Sequence, residues 1–173
     1  MNGLEITGFE QLFFGLFLII HGLIHLIFLL YNYDEKSKVY VGWSGRSWLL
    51  DKVIPPNITT YIGKVTWILI MILFVGSGLA VLDLLVISDY LAPLIIISSA
   101  IATLAFIIFY NGLSPTPFHW ILGVVINLAL ITYIIFFLDN ILLLLVILIL
   151  ITLYGILVHS KIVSKLAIPK SKT

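Results

Sequence analysis

Residues Phe9 to Tyr31 read FEQLFFGLFLIIHGLIHLIFLLY, and Glu10 is the one carboxylate or fixed cation in the run. A helix needs roughly 20 predominantly apolar residues to cross a hydrocarbon core about 30 Å thick. At about 1.5 Å of rise per residue this stretch is long enough. Four more stretches match it: Tyr61–Leu82, Tyr90–Tyr110, Phe118–Leu138 and Ile141–His159. A lone strand exposed to lipid would leave its N–H and C=O groups unpaired, so the runs are expected to be helices. The expected fold class is therefore all-α. It is a polytopic membrane protein with five transmembrane helices, at about 9–31, 61–82, 90–110, 118–138 and 141–159. Residues 1–173 form one domain, with a cytoplasmic loop at 32–60 and a basic tail at 160–173.

Composition points the same way. Hydrophobic residues make up 62% of the chain and charged residues 10%. Soluble domains are nearer half apolar and a quarter charged, so the apolar excess needs a second apolar phase. The net charge of +1 gives no nucleic-acid footprint. With no cysteine, disulfides, thiolate metal sites and cysteine nucleophiles are excluded. Glu5 and Glu10 stand where a signal peptide would carry basic residues, so the first run is expected to remain as a span.

The ends of the runs carry matching punctuation. Tyr31, Tyr61, Trp67, Tyr90, Tyr110 and Trp120 fall near the boundaries, where amphipathic rings favour the membrane interface. Pro55, Pro56, Pro93, Pro115 and Pro117 lie near helix starts, where a missing N–H costs little.

The basic residues set the orientation. With five spans, the N-terminal tail and the turns at Asp83–Asp89 and Asp139–Asn140 share one side and hold no Lys or Arg. The opposite side receives Lys36, Lys38, Arg46, Lys52, Lys64, Lys161, Lys165, Lys170 and Lys172, which is all nine. Basic residues stay cytoplasmic, so the N-terminus is expected outside and the C-terminus inside.

His21 and His25 are the most informative polar pair. Four residues apart, they share a helix face. Glu10 and Asn32 fall with them in a sector of about 60°, at 3.6 residues per turn. Gly8, Gly15 and Gly22 recur along an adjoining face and suit close helix contact. On the fourth run, His119, Gly123 and Asn127 follow at four-residue steps, and Thr152, Gly155 and His159 share a face of the fifth. The third run is the richest in small residues and is expected at the centre.

His21, His25, Asn127, His119 and His159 are thus the candidates for an intramembrane polar site. Polar groups at membrane depth mark such sites by default. Neutral imidazoles ligate metals and haem iron, so His21 and His25 would be the ligands of a metal or haem. They also relay protons. The structural alternative is that they hydrogen-bond across to Asn127, Thr103 or a carbonyl. No cofactor is the expected state, with haem or a metal ion as the alternative.

A second feature lies in the loop, where Gly42 to Leu50 read GWSGRSWLL. Arg46 offers a planar fork for phosphate or carboxylate. Trp43 and Trp48 flank it as they would at a lipid headgroup layer. Two readings follow: contact with an anionic lipid, or a short interfacial segment anchored by its tryptophans. The Lys residues of the tail are assigned to topology. The chain carries no P-loop, dinucleotide fingerprint, nucleophile elbow or carboxylate dyad, which argues against an enzyme.

The HGLIHL string from His21 to Leu26, followed by the GWSGRSWLL loop, resembles small multi-span membrane proteins of bacteria and archaea. The likeness covers about the first third of the chain. It implies a protein of a prokaryotic cytoplasmic membrane and no particular activity. The first expectation for function is a non-catalytic subunit or partner of a larger membrane complex, in contact with lipid and with other subunits or copies of itself. The alternatives are a His21/His25 site for haem, metal, protons or a small solute, and lipid binding through the loop.

Overall fold

The computed structural model describes residues 8–34, 39–86, 90–113 and 117–136. Helix α1 (Phe9–Ile24) tightens at its end into a 3-10 turn, His25–Leu29. Leu30 then adopts extended backbone, and a short antiparallel hairpin follows, β1 (Tyr31–Asp34) and β2 (Val39–Gly42). Its register pairs Tyr31 with Gly42 and Asp34 with Val39. But for Tyr31, the hairpin lies within the 32–60 segment expected as a loop between helices. Its Tyr- and Val-rich strands have ordinary β-propensity, a signal that a span-length hydropathy reading averages away. Gly42 closes it at φ 95°, where a Cβ would lie 2.8 Å from the Ile27 carbonyl oxygen and collide with that of Leu30.

Beyond a 3-10 turn at Leu50–Lys52, helix α2 runs over Pro56–Val81. It starts at Pro56, earlier than Tyr61, because Pro56 takes the first helical position, where its fixed φ suits the helix and its missing N–H is not needed. Helix α3 covers Leu91–Phe109 and continues into a 3-10 turn at Tyr110–Gly112, and α4 covers Pro117–Phe136. Among the described residues, three helical stretches are long and apolar enough to cross a membrane: Phe9–Leu29, Pro56–Val81 and Leu91–Gly112, of 21, 26 and 22 residues. Trp120–Phe136 is a shorter apolar helix. The expected fifth run, Ile141–His159, and the 160–173 tail lie outside the described residues.

Helix α2 packs on α1 and α3, and α3 packs on α4. The α1–α2 contact is set by glycine. A Cβ at Gly15 would meet the Gly78 carbonyl oxygen at 3.1 Å, and one at Gly22 would lie 2.9 Å from the Phe74 Cβ. Small residues let two backbones approach this closely. Gly8, the third of the series, instead precedes α1 at φ 66° with open space around it. In α3, Ser98, Ser99, Ala102 and Ala105 are buried. Opposite this core, Phe9, Phe13, Leu16, Ile20 and Leu23 of α1 and Ile27 of the 3-10 turn point outward. In water that stripe would be a large exposed apolar patch, whereas in lipid it is matched to its solvent.

Trp67 departs from its expected place at a span boundary. Helix α2 begins three turns earlier, so Trp67 is fully buried among Phe28, Phe106 and Phe109.

Candidate functional site

The two imidazoles of α1 face inward. Between them runs one turn of helix, and their rings meet edge to face with centroids 5.1 Å apart. His21 Nε2 lies 2.9 Å from Asn127 Oδ1 on α4. With the amide oxygen facing the ring, Nε2–H donates and Oδ1 accepts. His25 Nδ1 lies 2.8 Å from the His21 carbonyl oxygen. A carbonyl can only accept, so Nδ1 carries the hydrogen and His25 Nε2 holds the lone pair. Both rings thus have an assigned hydrogen-bond role: His21 bonds across to Asn127 on α4, and His25 bonds back along its own helix.

Those bonds do not exhaust the polar groups. Among the described residues, His25 Nε2, Trp67 Nε1, Ser99 Oγ and Asn127 Nδ2 are buried without a hydrogen-bond partner, as are Asp51 Oδ1 and Thr59 Oγ1 toward the loop. The first four come from α1 and its 3-10 extension, α2, α3 and α4 respectively. Turning the Asn127 amide end for end would move the unpartnered atom to the oxygen without removing it. Each such group costs about 1–3 kcal/mol when desolvated without a partner.

Aromatic rings enclose His25. Phe74 stacks on it at 5.7 Å, and Phe28, Trp67 and Phe106 lie at 6.2, 6.1 and 5.8 Å. Phe74 also meets His21 edge-on at 4.7 Å. A porphyrin at His25 would have to displace these rings. For a metal ion, the tautomer of His25 suits a ligand, since a carbonyl on the second nitrogen is the usual orienting partner. However, His21 Nε2 is taken by Asn127, and no three His, Asp or Glu side chains converge among the described residues.

The site residues expected from sequence separate into three sets. His21, His25 and Asn127 come together. His119 lies on α4 eight residues before Asn127, about 12 Å along the axis at about 1.5 Å per residue, and its side chain is outside the described set. His159 is also outside it. Sequence reasoning missed Trp67 as a member of the cluster. The signal for Trp67 was available in the helical spacing of Gly63, Trp67, Ile70, Phe74 and Ser77, all buried on one face of α2.

The GWSGRSWLL loop folds back against the helix ends. Trp43 is 3% exposed, lies edge-on to Phe109 at 4.9 Å and fills the space left by the absent Cβ of Gly63. Its Nε1–H donates to the Arg46 carbonyl at 2.9 Å. Ser47 Oγ donates to the Ile108 carbonyl and Trp48 Nε1–H to that of Ile107, at 2.8 and 2.7 Å. The last carbonyls of a helix have no partner within it, so the loop caps α3 from outside. Of the two tryptophans, Trp43 is inside the protein, and Trp48 is the partly exposed one.

Arg46 is 61% exposed, and its Nε donates to Asp51 Oδ2 at 2.6 Å. That bond holds the Asp51 carboxyl below its ordinary pKa of 3.8. Part of the Arg46 fork is therefore already committed to a carboxylate. Lys52 sits over the Trp48 ring, 5.3 Å from its centroid.

Comparison of the chain with protein-family models, with curated proteins and with solved structures finds no match.

Proposed function

We propose that this chain is a five-span protein of a prokaryotic cytoplasmic membrane, N-terminus outside and C-terminus inside, and that its work is done at the His21–His25–Asn127 cluster, which passes a proton or a small polar solute. The span count and orientation rest on the five apolar runs and on the segregation of all nine basic residues. The function rests on one observation: among the described residues, four of the six buried side-chain atoms without a hydrogen-bond partner, His25 Nε2, Trp67 Nε1, Ser99 Oγ and Asn127 Nδ2, come from four different helical segments. Native proteins satisfy nearly all such groups. A fold that keeps four of them on facing helices is arranged to meet something other than itself.

The test is reconstitution of the full chain in lipid vesicles, with a trapped pH-sensitive dye for protons and osmotic swelling for glycerol as a small neutral solute. The expected result is a flux above empty vesicles that falls at least tenfold in His25→Phe. No flux of either kind would refute the proposal. Labelling of the two termini in whole cells tests the topology, which requires them in opposite compartments.

A second reading, a non-catalytic subunit of a larger membrane complex, is favoured by the way the loop turns back onto the bundle. Helix α1 also presents a continuous outward apolar face, which suits either lipid or another helix. Gentle purification from native membranes decides it: a stoichiometric companion chain supports that reading, and a chain recovered alone removes it. Binding of anionic lipid through Arg46, flanked by Trp43 and Trp48, is the weaker third reading, since Arg46 is already paired with Asp51.

A further inference from the structure

The two ring nitrogens without a partner are of opposite sense. His25 Nε2 accepts, because its other nitrogen carries the hydrogen that goes to the His21 carbonyl. Trp67 Nε1–H can only donate. The two rings are neighbours, with centroids 6.1 Å apart and planes inclined by 31°. Yet the two nitrogens do not bond to each other. We infer that His25 and Trp67 together recognise a single uncharged hydroxyl group, which donates to His25 Nε2 and accepts from Trp67 Nε1–H. The group belongs either to a water molecule or to a small neutral solute. This names the ligand chemistry of the site proposed above and rests on that reading.

Charge decides against other occupants. A cation would find one lone pair at His25 and the positive end of an indole N–H dipole beside it. An anion would be drawn to that N–H but repelled by the imidazole lone pair. Among the described residues neither charge has a compensating carboxylate or fixed cation here, since Glu10, Arg46, Asp51, Lys52 and Asp83 lie toward the ends of the helices or in the loops that join them, and Lys64 is exposed on the outside of α2. An O–H group offers one donor and two acceptor lone pairs, so it satisfies both nitrogens at once. Buried waters typically need two to four such polar partners. Asn127, bonded to His21 one helical turn before His25, is the further polar group toward which a larger solute would extend.

The experiment is solid-state nuclear magnetic resonance on the full chain in lipid bilayers, with the histidines and tryptophans labelled with nitrogen-15. His25 is expected with Nδ1 protonated and Nε2 bare and hydrogen-bonded. Magnetisation transfer to Nε2 from water marks water as the occupant; transfer from added carbon-13 glycerol marks a solute hydroxyl; either result supports the inference. Trp67→Phe keeps an aromatic ring but removes the N–H. It should lower occupancy by about fivefold, the factor equivalent to one ordinary hydrogen bond. The His21 resonances serve as the check that the variant is folded. The wild-type spectrum decides the matter alone if the variant does not fold. A proton on Nε2, a bare Nε2 in contact with neither probe, or a stoichiometric shift on adding zinc ion would each overturn the inference. Because the spectrum reads occupancy without flux, its failure is distinct from failure of the vesicle assay.

Discussion

Replacing Asn127 with leucine keeps the branching and heavy-atom count of the side chain, adds some volume and removes the partner of His21. Overpacking a buried site costs about 1–3 kcal/mol, so the hydrogen-bond term has to be separated from a packing term. In a soluble core, stranding a buried donor costs about 1–3 kcal/mol. Inside a membrane the measured worth of such bonds averages about 0.6 and reaches about 1.7 kcal/mol, because the unfolded chain in lipid finds other partners. The bond here is 2.9 Å long and joins a residue 5% exposed to one fully buried. It is therefore placed in the upper part of that range, at about 1–1.7 kcal/mol. The single variant does not measure this bond alone, since leucine also adds volume and removes the unpartnered Asn127 Nδ2. A double-mutant cycle with His21→Phe isolates the pair. Phenylalanine fits that position, where Phe17 stacks at 5.8 Å and Phe74 lies edge-on. Unfolding in mixed detergent micelles, followed by helical circular dichroism, gives the four free energies. A coupling energy of about 1–1.7 kcal/mol is expected. A value below about 0.3 kcal/mol, the usual error of additivity, would refute the assignment of this bond.

Three further outcomes are expected. Gly22→Val should destabilise the α1–α2 contact by about 1–3 kcal/mol, since its Cβ meets Phe74 at 2.9 Å; Gly76→Ala, in open space, should be neutral or stabilising by up to about 1 kcal/mol, and the same micelle unfolding compares them. Trp43→Ala removes a fully enclosed indole and should cost about 3–5 kcal/mol, with faster proteolysis of the 42–52 loop as the direct readout. The Arg46–Asp51 pair should be sensitive to acid: because the folded pKa is depressed, its contribution is present above the ordinary value of 3.8 and is lost as pH falls through the lower folded value. Loop proteolysis with an acid-active protease should therefore accelerate only below about pH 3.8 in the wild type, and Asp51→Asn should abolish that step.

The helices were legible in sequence for a simple reason. A segment that must satisfy its own backbone in an apolar medium needs a fixed length of apolar residues, and length and composition are written in the chain. Boundaries were less legible where polar or turn residues were themselves helical. Asn57, Thr59 and Thr60 lie in the first turns of α2, although they read as loop. Gly15 and Gly22 were recognisable as contact residues from their spacing, and the contact they make is with Gly78 and Phe74 of α2. The fate of Trp43 could not be read, because a tryptophan near a span boundary fits the interface and the interior equally well; that of Trp67 was readable only from its helical spacing with Gly63, Ile70 and Phe74.

Sequence alone determined that the described helices are apolar and long, that His21 and His25 share a face, and that every fixed positive charge falls in a set of segments compatible with one side. These follow from local periodicity and counting, to which each residue contributes independently. Only the tertiary structure decided that His21 reaches Asn127 across the bundle, that Trp67 closes on His25, and that the GWSGRSWLL loop turns inward to cap α3. Those are pairings between residues tens of positions apart, fixed by which helix faces pack together. Neighbouring side chains in the sequence carry no record of that choice.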